Sequence, residues 1–157
     1  MTRILFVCLG NICRSPTAEA VFRAKLKERQ LEFRISCDSA GTSHYHVGEA
    51  PDGRAAKAAL RRGYDMRDLR ARQVHENDFE HFDLILAMDR NNLAELQHRA
   101  GADHRSKLRL FLEFSDAAEL EVPDPYYGGR EGFDHVLDLV ESASDGLLRQ
   151  LLESSRS

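Results

Sequence analysis

A cysteine and an arginine stand six positions apart near the start of the chain, in Val7-Cys8-Leu9-Gly10-Asn11-Ile12-Cys13-Arg14-Ser15-Pro16. The spacing suits nucleophilic displacement at a tetrahedral oxyanion. The five intervening residues can curl so that successive backbone N–H groups face one concavity. A helix starting at the Ser-Pro pair adds its free N–H groups and positive end at the same place. Arg14 supplies a planar fork that matches two oxygens of the anion. A cysteine at the centre of such a cup is favoured as thiolate, the form that acts as nucleophile. Ser15 can donate its hydroxyl to that sulfur, and Leu9, Gly10, Asn11, Ile12 and Cys13 form the wall that meets the oxyanion. Taken alone, Cys8 could be a small apolar side chain packed at a strand end. Cys13 could be a buried loop thiol or a redox partner, and Asn11 could be a residue that tolerates positive φ.

A second group with chemical potential lies far along the chain, in Val122-Pro123-Asp124-Pro125-Tyr126-Tyr127. Breaking a phosphate ester of a phenol expels an oxygen whose conjugate acid has a pKa of about 10, so a placed acid helps at neutral pH. Asp124, with its backbone held between two prolines, can be that acid and later the base for water. On spacing alone it is equally an Asp-Pro turn residue. Tyr126 and Tyr127 can flank a flat aromatic ring, or one of them can pack on the helix that follows.

These groups need elements to bring them together. Arg3–Cys8 is an apolar run expected as a buried parallel strand. Ser15 as N-cap and Pro16 as first helical residue open a helix to about Arg29. Phe33–Cys37 reads as a short strand, Ser39–Gly53 as a long loop, Arg54–Arg62 as a helix stopped by Gly63, and Gln73-Val74 as a brief strand or turn. Asp83–Met88 reads as a further buried strand, and Asp89 caps a helix running through Leu93 and Leu96. Lys107–Phe114 reads as a strand, Glu121–Gly129 as a loop, and the apolar spacing from Phe133 to Leu152 as a long amphipathic helix. Alternating strands and helices predict an α/β fold, a Rossmann-like or flavodoxin-like parallel sheet with helices on both faces. Ligands then bind at the C-terminal strand ends, where the loop after the first strand lies.

Composition narrows the function. The 157 residues fit one domain, 1–157, and are 42% hydrophobic and 31% charged. A net charge of −4 argues against nucleic acid as partner, and no apolar run is long enough for a membrane helix. The apolar stretch at the N-terminus is too short for a signal peptide. Cys8, Cys13 and Cys37 form no metal or disulfide framework. Together these predict a cytoplasmic protein that needs neither metal nor cofactor; on oligomeric state the sequence says little, and a monomer or weak dimer is the expectation. His44 and His46 read as loop residues.

The Cys8–Pro16 segment resembles the signature of the low-molecular-weight protein-tyrosine phosphatases. The resemblance continues through Asp38-Ser39-Ala40-Gly41-Thr42, Ala71-Arg72-Gln73, Ala87-Met88-Asp89 and Asp124-Pro125-Tyr126-Tyr127. It implies a four-stranded parallel sheet flanked by helices, a phosphocysteine on Cys8, phosphate held by Arg14, and Asp124 as general acid and base. It implies phosphotyrosine proteins as substrates, Ser39 as partner of Asn11, Asp89 as a brace for the loop as well as a cap, Tyr45 at the groove entrance, and Cys13 as disulfide partner of Cys8 under peroxide. Some relatives carry a histidine where Leu69 stands, so any network through that histidine is absent or rebuilt here. Three rival readings fit the residues less well. Arsenate reductase chemistry needs a relay of further cysteines, and none follows Cys37. A protein-arginine phosphatase tends to have Thr at Ile12 and no tyrosine pair. A non-catalytic phosphate-binding module has no need of Cys8, Arg14 and Asp124 together.

Overall fold

The computed structural model describes residues 1–126 and 128–154; Tyr127 and residues 155–157 lie outside the described residues. Four parallel strands, β1 (Thr2–Cys8), β2 (Ile35–Gly41), β3 (Leu84–Ala87) and β4 (Leu108–Leu110), form one sheet in the order β2-β1-β3-β4. The helices are α1 (Arg14–Glu28), α2 (Gly53–Arg61), α3 (Asp78–His81), α4 (Arg90–Arg99) and α5 (Arg130–Ser154). The alternating α/β architecture read from the sequence is the one observed.

Strand β1 is central, and its side chains alternate between two cores. Ile4, Phe6 and Cys8 join the larger core, built with α1, α2 and α5, while Leu5 and Val7 join the smaller one with Leu96 of α4. Ile4 to Val7 are fully buried, which is why the strand reads as an unbroken apolar run. Phe6 meets Phe22 and Phe111 edge-on, with centroids 5.7 and 5.0 Å away. Strands β2 and β3 pair with opposite sides of β1. The chain therefore changes direction across the sheet at β1 and β3, and their carboxyl ends open a crevice there. Helix α5 closes over the 3₁₀ turn Phe111–Phe114, where a Cβ on Gly146 would fall 1.7 Å from the Phe114 carbonyl oxygen.

Several boundaries differ from the sequence reading. Helix α1 begins at Arg14 with Cys13 in the N-cap position and no side-chain cap. Ser15 is thus the second helical residue, not the cap, because its hydroxyl turns toward Cys8 instead of the helix's own amides. Pro16 still lies in the first turn, where its missing N–H costs nothing. Strand β2 starts at Ile35, with Phe33 exposed, and runs through Gly41 into the stretch expected as loop. The expected strand over Lys107–Phe114 is three residues long. Phe111, Leu112 and Phe114 are all buried in the 3₁₀ turn that follows it. Gln73 makes an isolated parallel bridge with Gly41, in line with the brief strand expected there.

Candidate active site

Three segments converge on one crevice: the loop from Cys8 to Arg14, the loop after β2, and the Pro-bracketed loop before α5. Cys8 ends β1. The β1–β2 ladder continues past it, with Thr42 N–H donating to the Cys8 carbonyl at 2.9 Å and Ser43 N–H to the Leu9 carbonyl at 2.9 Å. The loop then folds back over its own sulfur. Asn11 has a φ of 57°, the left-handed turn that directs its backbone N–H onto Cys8 Sγ at 3.3 Å. Ser15 Oγ lies 3.0 Å from the same sulfur. The sulfur thus sits at the focus of the loop, as the spacing of Cys8, Arg14 and Ser15 predicts.

The side chain of Asn11 does not line the crevice. It braces the loop from behind, donating through Nδ2 to Ser15 Oγ at 2.8 Å and Ser39 Oγ at 2.9 Å, and accepting at Oδ1 from Arg72 N–H at 3.0 Å. Of Asn11, then, only the backbone N–H is placed to face an anion. Ser39 Oγ donates in turn to Oε1 of Glu19 at 2.6 Å, and Glu19 also pairs with Arg23 one turn along α1. The sequence reading missed Glu19, although a Glu four residues from both Ser15 and Arg23 and set among Ala18, Ala20 and Val21 was the available signal. Burial pushes the Glu19 carboxyl up, against the opposing pull of the Ser39 hydrogen bond and the Arg23 charge.

Gly41 lets the loop lie against β2. A Cβ there would stand 2.7 Å from the Leu9 carbonyl oxygen and 3.1 Å from Asn11 N. Both are backbone atoms, so Gly41→Ala must push the loop outward. Thermal denaturation should show a loss of about 1–3 kcal/mol, with a fall in anion affinity. Unchanged stability and affinity would mean that the loop has slack at this contact.

Arg14 is buried and ties the loops together. Its Nη1 donates to Asp89 Oδ2 at 2.7 Å and to the Val122 carbonyl at 3.0 Å, while Nη2 lies 3.7 Å from Asp124 Oδ2. Asp89 does both jobs expected of it: its Oδ1 accepts from Asn92 N–H at 2.7 Å and caps α4. Burial alone would lower the basicity of Arg14, yet Cys8, Asp89 and Asp124 together raise it above the ordinary value, so the cation is fixed. Among the described residues no hydrogen bond engages its Nε, which leaves that N–H and Nη2 for an oxyanion.

Asp124 is half exposed at the crevice wall, and its Oδ1 accepts from Tyr126 N–H at 3.0 Å. Val122 N–H donates to the Met88 carbonyl at 2.8 Å, anchoring this loop to the end of β3. The crevice, about 220 Å³, is lined by Cys8, Leu9, Gly10, Ile12, Cys13, Arg14, Ser43, Tyr45, His46, Asp124 and Tyr126. Tyr45 is largely exposed at the entrance and stacks on His44 with centroids 5.2 Å apart. Tyr127 lies outside the described residues. Ser43 and His46 were not anticipated; His46 pairs with Glu49 at 3.0 Å and lies over Gly10. Burial first, and then the Asp52 carboxylate and the sulfur of neighbouring Cys8, push the Cys13 thiol up to about 12, so it stays protonated beside Cys8 at neutral pH. Among the described residues no group of three or more His, Cys, Asp or Glu side chains is gathered to hold a metal. Among them, too, no helix is long and apolar enough to cross a membrane.

The arrangement offers a sulfur nucleophile, converging N–H and O–H donors, a fixed cation and a carboxylate on the solvent side. Known proteins are similar to this chain along nearly its whole length. The model of the family described as low molecular weight phosphotyrosine protein phosphatase matches residues 3–157. A putative low molecular weight protein-tyrosine-phosphatase of Synechocystis is 49% identical, covering 95% of this chain and 96% of its own. The Streptomyces coelicolor low molecular weight protein-tyrosine-phosphatase is 44% identical, covering 96% of this chain and 94% of its own. A protein tyrosine phosphatase from Entamoeba histolytica, crystallised with Hepes in the active site, superposes with a TM-score of 0.95 at 42% identity over 99% of both chains. On sequence and fold alike, this chain belongs to the low-molecular-weight phosphotyrosine protein phosphatase family.

Proposed function

We propose that the chain hydrolyses phosphotyrosine in proteins, and aryl phosphates generally, through a phosphocysteine on Cys8. The observation that carries this reading is the meeting of Cys8 Sγ, Arg14 and Asp124 at one crevice. There Arg14 Nη2 and Asp124 Oδ2 are 3.7 Å apart, and Asn11 N–H and Ser15 Oγ rest against the sulfur. The phosphoryl group sits in the cup against the loop N–H groups from Leu9 to Cys13, with Arg14 on its equatorial oxygens. The sulfur attacks phosphorus as the ester P–O bond breaks, and Asp124 gives its proton to the departing phenolic oxygen. Asp124 then takes a proton from a water that attacks phosphorus from the side the phenol left. The S–P bond breaks, the sulfur leaves as thiolate supported by the Ser15 O–H, and phosphate departs. Tyr45 and Tyr126 stand where they flank the substrate ring, and Tyr127 is proposed to share that role. The free thiols of Cys8, Cys13 and Cys37 support a reducing, cytoplasmic setting, and the chain is proposed to act as a monomer or weak dimer without metal or cofactor.

The test uses a series of aryl phosphates whose phenols differ in acidity. Asp124→Ala should slow weakly acidic phenols by about 10²-fold or more while leaving strongly acidic ones much less affected. Equal slowing across the series would remove Asp124 as the proton donor.

A further inference from the structure

Beside the active-site crevice lies a second one, also about 220 Å³, lined by Arg54, Lys57, Arg61, Gly128, Gly129, Arg130 and Phe133. Four of its seven lining residues are cations, on a chain whose net charge is −4. Their pairing differs from that of several other arginines of the chain. Elsewhere Arg62 is held by Asp138 and Glu141, Arg72 by Asp38 and Asp78, and Arg90 by Glu121. Among the described residues no carboxylate forms an ion pair with Lys57, Arg61 or Arg130; Arg54 alone is partly neutralised, by Asp52. The adjacent residues Arg61 and Arg62 divide accordingly, one facing the crevice and the other tied to α5.

This crevice shares a wall with the active site. Arg54 lies over the Tyr126 ring at 5.4 Å and the Phe133 ring at 5.0 Å, and its Nη2 donates to the Tyr126 carbonyl at 2.7 Å. Tyr126 in turn lines the catalytic crevice. Along α2, Lys57 and Arg61 stand roughly 4.5 and 10 Å beyond Arg54, at about 1.5 Å rise per residue. An extended peptide crosses that span in about three residues, at about 3.3 Å each.

We propose that this crevice binds acidic side chains of the substrate, so that the preferred phosphotyrosine is followed or preceded within a few residues by Asp or Glu. The proposal rests on the phosphatase reading and names the substrate class that reading leaves open. Unpaired rim cations raise the local concentration of an acidic peptide and favour its encounter, an effect that salt screens.

The test compares two short phosphotyrosine peptides, one with Glu and Asp around the phosphotyrosine and one with Gln and Asn there, with a small aryl phosphate as reference. At low salt the acidic peptide should have a kcat/KM about tenfold higher, mostly through KM, and added salt should erase the difference. Lys57→Glu with Arg61→Glu, both exposed on α2, should abolish the preference. The reference and the neutral peptide should stay within about twofold, and Lys57→Gln with Arg61→Gln should fall between. A preference that survives charge reversal, or equal losses on both peptides, overturns the proposal. So does a response to a second phosphate on the neutral peptide with none to its acidic counterpart, which would make the crevice a phosphate site. Turnover of both peptides at equal rates refutes this inference alone; no turnover of any phosphotyrosine refutes the phosphatase reading with it.

Discussion

Replacing Cys8 with serine is expected to lower aryl phosphate turnover by about 10⁴-fold or more while the protein stays folded. The argument is both chemical and spatial. Cys8 Sγ accepts the Asn11 backbone N–H at 3.3 Å and has the Ser15 hydroxyl oxygen 3.0 Å away. A serine oxygen fits the same strand end and keeps those hydrogen bonds, but at neutral pH it is a far weaker nucleophile than a thiolate. The larger core holds Cys8 among Ile4, Phe6 and Phe22, so exchanging sulfur for oxygen leaves the packing volume nearly unchanged. Thermal denaturation and single-turnover kinetics on the same sample would separate the two effects. A variant that kept most of its activity would show that another group attacks phosphorus.

The second large effect is expected at Arg14. Arg14→Lys keeps the charge and loses the fork, and should cost about 10²–10³-fold in kcat with weaker inhibition by inorganic phosphate. The arginine does three things through different nitrogens: Nη1 grips Asp89 and the Val122 carbonyl, Nη2 faces Asp124, and the remaining N–H groups are available to an anion. An ammonium cannot serve all three directions at once. Losses in kcat and phosphate affinity with the melting temperature nearly unchanged would place the defect in the site; wild-type values would deny the fork any part in catalysis.

How much of this was legible in the sequence follows from how local each determinant is. The β1 run and the Cys8–Arg14 spacing are local, so strand, cup and nucleophile could all be read from contiguous residues. Asp89 was legible as a cap because a cap is also local. Its second bond, to Arg14, spans 75 residues and entered only through family resemblance. The Ser15 hydroxyl was read correctly against the Cys8 sulfur but not as the N-cap, because a Ser-Pro pair signals a helix start whether or not the hydroxyl turns toward the helix. Here the sulfur of Cys8 competes with the helix's amides for that hydroxyl. Glu19 escaped notice because a glutamate in an amphipathic helix ordinarily faces water. Only the fold shows that β2 brings Ser39 against it. The cationic crevice was equally hidden: Arg54, Lys57 and Arg61 look like a solvated helix face until α5 delivers Arg130 opposite them.

The clamp on Asn11 carries one further consequence. Its amide is held by partners on α1, on β2 and in the segment ahead of α3, so the concavity belongs to the folded chain and not to whatever enters it. Small anions therefore meet a finished mould, and the ordering that a flexible loop would undergo with each arriving substrate takes place once, when the polypeptide folds.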